Sequence, residues 1–60
     1  MNENEMQGWM MNAIDSYAGE QERQDVRADT YEEKGILTDN AGLVVRVGDS
    51  VFQVTIVKVS

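Results

Sequence analysis

The chain has 60 residues with eleven acids against five bases, a net charge of −6, no cysteine and no histidine. A chain of this length forms one domain with a small core, and without cysteine or histidine it has no disulfide, none of the usual zinc sites and neither of the commonest catalytic side chains. The acidic balance disfavours direct nucleic-acid binding, which draws its affinity from lysine and arginine releasing phosphate counterions.

Residues 1 to 18 carry a helical pattern, and the expected helix is about 3–18. Asn2 is placed as N-cap with Glu5 at the third helical position, an asparagine form of the capping box, and Met1 and Met6 then take staple positions. Met6, Trp9, Met10, Ala13, Ile14 and Tyr17 fall three and four apart and form one stripe. The stripe is expected to pack on a sheet, the alternative being an adaptable methionine-rich partner groove. Met11 lies off it and is expected to add exposed apolar surface. Gly19 is the expected helix terminator.

Residues 20–34, EQERQDVRADTYEEK, are compatible with a helix but have few apolar anchors. They read as a solvated polar helix, a mobile connector, or the continuation of one helix over 3–34. All of the net charge sits on residues 1 to 34, which hold nine acids against three bases. If this segment is helical, Glu22, Asp25, Asp29 and Glu32 or Glu33 share one side.

Strands are expected at about 35–38, 43–47 and 50–58. Gly48-Asp49 is a two-residue connection with glycine first, as a type II′ hairpin turn requires. The register that follows sets Val47 against Ser50, Arg46 against Val51, Val45 against Phe52, Val44 against Gln53 and Leu43 against Val54. It gathers Leu43, Val45, Val47, Phe52, Val54 and Ile56 on one face. A slip by one residue would push Arg46 or Gln53 among them, so pattern and turn specify the same pairing. Symmetry about Asn40-Ala41 would set Ile36 opposite Val45 and Thr38 opposite Leu43. The expected fold is α+β, an N-terminal helix on an antiparallel meander of two to three strands.

The second hairpin strand overhangs its partner, and the other face holds Val44, Val51, Val57 and Val59, more apolar surface than a small domain usually leaves in water. The chain's own elements could cover this surface, or a homodimer formed by edge pairing or face stacking, with Val51 and Val57 as self-association residues. No apolar run approaches the ~20 residues that span a bilayer, and the amino terminus lacks the basic and apolar regions of a secretory signal. The cytoplasm is the expected compartment, with no membrane partner.

No chemistry of a reaction stands out. Ser16, Ser50 and Ser60 lack a histidine to activate them, Asp39-Asn40-Ala41-Gly42 lacks the acid spacing of a calcium loop, and no glycine pattern cradles a phosphate. The expectation is therefore a non-enzymatic module without cofactor or metal. It would bind another protein through Trp9, Met10, Met11 and the acids Glu22, Asp25, Asp29, Glu32 and Glu33.

Two other roles stand beside that one. A nucleic-acid mimic would occupy a basic cleft, although Asp15, Glu22, Asp25, Asp29 and Glu33 on one helix would span about 27 Å, sparser than the one charge per ~1.7 Å of duplex DNA. A structural subunit of an assembly is the other. The short length, acidic amino-terminal helix and closing stretch GLVVRVGDSVFQVTIVKVS resemble small accessory proteins of bacteriophages and prophages, including anti-host inhibitors. That resemblance, carried by residues 42–58, implies a protein that binds a host or phage protein and blocks or redirects it.

Overall fold

The computed structural model describes residues 1–60. Helix α1 spans Glu3–Glu20, and strands β1 (Val26–Thr30), β2 (Ala41–Val47) and β3 (Ser50–Ile56) form one antiparallel sheet in the order β1-β2-β3. The helix lies on one face of the sheet, mainly against β1 and β2. This is the expected α+β fold.

The helix begins as its first residues dictate. The Asn2 side chain accepts from the Glu5 N–H at 2.8 Å, and the Glu5 carboxylate accepts from the Asn2 N–H at 3.1 Å, so two otherwise unpaired donors are satisfied reciprocally. Its end differs from expectation. The helix runs through Gly19, and the reversal falls at Glu22, which has a φ of 55°. Arg23 N–H reaches the Ala18 carbonyl at 2.9 Å and Glu22 N–H the Gly19 carbonyl at 3.0 Å, the paired bonds of a Schellman motif. Gly19 sits two residues before the C-cap Gln21, and the left-handed position is taken by a non-glycine residue.

The largest correction concerns residues 20–34, which are neither a helix nor a connector. Val26-Arg27-Ala28-Asp29-Thr30 pairs with β2, Val26 opposite Val47, Ala28 opposite Val45 and Thr30 opposite Leu43. The strand expected at 35–38 is absent. Its places opposite Val45 and Leu43 belong to Ala28 and Thr30, and Ile36 does not join the inner face. Residues 31–35 instead turn tightly, with Gly35 at a φ of 70°, Lys34 N–H on the Thr30 carbonyl and Ile36 N–H on the Tyr31 carbonyl. Thr30 and Glu33 close this turn by exchanging side-chain and backbone hydrogen bonds at 3.1 Å each.

The β2–β3 hairpin has the expected register at every pair, from Val47 opposite Ser50 to Leu43 opposite Val54, and extends it to Ala41 opposite Ile56. Gly48 has a φ of 59°, whereas Asp49 is not left-handed, as a turn with glycine at the first central position requires. β3 ends at Ile56, so 57–60 do not continue the strand to residue 58.

Ala28, Leu43 and Val45 are the buried centre of the inner face, and Met10, Met11, Ile14, Val47 and Val54 pack against them. The core is small: 7 of 60 residues are buried, and Leu43 alone has a fully enclosed side chain. On the outer face Tyr31 lies flat over Gly42, and its hydroxyl is 2.7 Å from Thr55 Oγ1. Tyr31 and the half-buried Ile36 thus cover part of the valine-rich outer face.

Candidate functional site

The helix touches the sheet with a different stripe from the expected one. Gln7, Met10, Met11, Ile14 and Ala18 face inward, so Met11 belongs to the core surroundings and Met10 is half-buried. The neighbouring flank, Met6, Trp9, Ala13 and Tyr17, is exposed, with Trp9 at 66% and Tyr17 at 64%. The expected stripe combined Met10 and Ile14, which pack, with four residues that do not. A rotation of about one residue position, or 100° of helix, separates the two sets.

The helix holds this setting because Gln7 anchors it. Its Oε1 accepts the Gly42 N–H at 2.9 Å, a donor that β1 leaves free because the Tyr31 carbonyl is taken by Ile36. With that bond at the N-terminal half and Ile14 and Ala18 over the far end of β1 and β2, α1 leaves the turn end of β3 uncovered on its inward face, while Val54 still packs against the core. Phe52 pairs with Val45 and so shares the inner face, yet it is 54% exposed.

Two separate hollows with apolar walls lie along the contact between helix and sheet. Under the C-terminal half of α1, a cleft of about 450 Å³ is walled by Ala13, Tyr17, Val26, Val45 and Val47. At the opposite end, Met6 shares a hollow of about 190 Å³ with Ile56 and Val57. Phe52 and Val54 are on the strand between these ends. The lining of the two hollows is aliphatic and aromatic, apart from Gln21 and Arg23 in the first and Asn2, Glu3, Lys58 and Ser60 in the second.

The acids expected to act together are dispersed. Glu22 occupies the helix-ending turn, and Glu32 and Glu33 lie in the turn after β1, Glu33 engaged with Thr30. Asp25 is held by Arg23 through two bonds of 2.9 and 2.6 Å. This paired hydrogen bond keeps the Asp25 carboxyl below its ordinary range and raises the guanidinium further. Asp29 is buried on the outer face of β1, 3.0 Å from Arg27 Nε and 3.5 Å from Lys34 Nζ. Asp25 and Asp29 are thus paired locally, and no single acidic stripe exists.

Of the expected contact residues, Trp9 is exposed on the flank of α1, and Val57 lines the hollow beside Met6. Val51 is exposed on the outer face of β3. Phe52 and Tyr17 are exposed aromatic residues that were not expected as contacts. The signal for Phe52 was present in the sequence: one helix has about 10 Å of width, whereas three strands at ~4.8 Å spacing are wider.

No helix is long and apolar enough to cross a membrane. Comparison with family models, with curated proteins and with solved structures finds no match in any of the three.

Proposed function

We propose that the chain is a non-enzymatic protein-binding module whose contact surface is the open apolar strip between the outer flank of α1 and the inward face of β3. The observation that carries this reading is the exposure of three large aromatic side chains on so small a domain, Trp9 and Tyr17 on one flank of α1 and Phe52 on β3, with Tyr17 also walling the cleft under the helix. Trp and Tyr are enriched among the few residues that carry most of the energy of protein contacts, and large exposed apolar surface on a small domain marks an interaction site. The small core gives a partner a second effect, because a ligand that binds only the folded state stabilises it by mass action.

The partner this surface fits presents an apolar helix or strand to the cleft, with basic groups at its edges to match a net charge of −6. The resemblance to phage accessory proteins makes a host or phage protein the first class to test.

The test compares capture by the tagged wild type with capture by Trp9→Ala, Phe52→Ser and, as outer-face control, Arg46→Ala. A protein retained by wild type and Arg46→Ala but lost by the other two supports the reading, provided it also survives about 0.5 M salt, where exposed ion pairs are largely screened. Retention by wild type and all three variants, or loss with salt alone, contradicts it.

A further inference from the structure

We propose that two copies of this chain pair edge to edge through β3, antiparallel and centred on Gln53, to make a continuous six-stranded sheet. The inference does not rest on the protein-binding reading, since strand pairing is made in the plane of the sheet and leaves both faces open.

The hydrogen-bonding directions within β3 fix the register. The residues flanking a two-residue hairpin turn form a hydrogen-bonded pair, and such pairs alternate along an antiparallel ladder. Val47 and Ser50 flank the turn, so Ser50, Phe52, Val54 and Ile56 aim their backbone groups at β2. The Tyr31 N–H bond to the Gly42 carbonyl agrees, since it assigns the even positions of β2 to β1 and leaves the odd ones to β3. Val51, Gln53 and Thr55 therefore direct their N–H and C=O groups outward from the sheet.

Those three residues are symmetric about Gln53. A two-fold axis there sets Gln53 against its own copy and Val51 against Thr55 of the second copy, so every outward donor meets an outward acceptor. The same operation sets Phe52 beside the second copy's Val54, at the closer, non-hydrogen-bonded spacing. Any shifted two-fold leaves outward groups at one end unpaired.

The occupant is a second copy because of where the charge lies. β3, SVFQVTI, has no charge or proline, devices that usually blunt a free edge, whereas β1 at the opposite edge carries Arg27 and Asp29. Residues 35 to 60 are neutral in sum and the −6 belongs to residues 1 to 34, so pairing through β3 joins the two neutral halves. Continuing the register past Ile56 brings Lys58 to the Gly48-Asp49 turn of the second copy, an attraction formed twice by symmetry. Val51 enters the pairing directly, and Val57 would reach the same turn.

The experiment is amide hydrogen exchange followed residue by residue on the full chain, at concentrations spanning the association detected by equilibrium sedimentation. The expected result is a dimer in which the amides of Val51, Gln53 and Thr55 slow by about fivefold once the total concentration is ten times the dissociation constant. Those of Phe52, Val54 and Ile56 are already protected in the monomer by their bonds to β2. Gln53→Pro removes an outward N–H that the monomer does not use, a substitution an edge strand tolerates, and should give a folded monomer. Gln53→Lys, which sets two cations abreast, should weaken the dimer in parallel. A single monomer mass up to millimolar concentration, or a dimer without this alternating protection, overturns the proposal.

Discussion

The Tyr31 ring rests on Gly42 so closely that a methyl group at residue 42 would lie 2.6 Å from ring carbon Cζ and 2.6 Å from the Val54 carbonyl oxygen. Tyr31 is on the outer face of β1's continuation and Gly42 on β2, so this contact fixes the path of the chain out of β1. Gly42→Ala should cost about 1–3 kcal/mol, the usual penalty for overpacking a site that cannot relax freely. Tyr31→Phe removes only the bond to Thr55 and should cost about 1 kcal/mol. Urea denaturation monitored by far-UV circular dichroism checks both, and a Gly42→Ala variant as stable as wild type would mean that the ring does not sit where described.

Glu22 occupies the left-handed position that closes α1. A side chain there costs roughly 1–2 kcal/mol relative to glycine, so Glu22→Gly should stabilise the protein by up to about 1 kcal/mol after the greater freedom of glycine in the unfolded chain is offset. Thermal denaturation of the two proteins side by side measures it. A loss of stability would place the helix end elsewhere.

Met11 and Trp9 lie two residues apart on opposite sides of the boundary between packed and open helix faces. Met11→Glu puts a carboxylate against Leu43 and Val45 and should destabilise by several kcal/mol, enough to unfold much of so small a domain. Trp9→Glu should change stability by less than about 1 kcal/mol. Equal effects from the two substitutions would refute the helix orientation.

The lowered Asp25 carboxyl gives the fold a specific acid response. A carboxyl whose proton affinity is lower in the folded than in the unfolded state adds stability above its ordinary pKa of 3.8, and that contribution is lost as pH falls through the still lower folded value. Asp25→Asn should therefore show a shallower decline in stability than wild type below about pH 4. Parallel pH titrations of the denaturation midpoint test this, and superimposable slopes would show that the Arg23 pair does not persist in solution.

The hairpin was legible because two independent signals, the glycine-led turn and the valine alternation, required the same register. The helix start was legible because Asn2 and Glu5 recognise each other locally. β1 was not, since Arg27, Ala28 and Asp29 are weak strand formers taken singly. Their alternation makes sense only once Ala28 packs under the helix and Asp29 finds Arg27 and Lys34 on the opposite face, a tertiary context overriding local preference. The same omission misplaced the third strand at 35–38. The helix stripe was half legible: Met10 and Ile14 pack in any reasonable assignment, but choosing Met11 over Trp9 depends on Gln7 reaching Gly42, a contact 35 residues apart in the chain.

Relaxation enhancement by a neutral paramagnetic agent, recorded on dilute protein, tests the placement of the helix over two of three strands most directly. The Phe52 ring and Trp9 indole signals should broaden strongly, with the methyl groups of Met11 and Leu43 spared. A spared Phe52 together with a broadened Met11 would contradict it and remove the basis for a binding surface between α1 and β3.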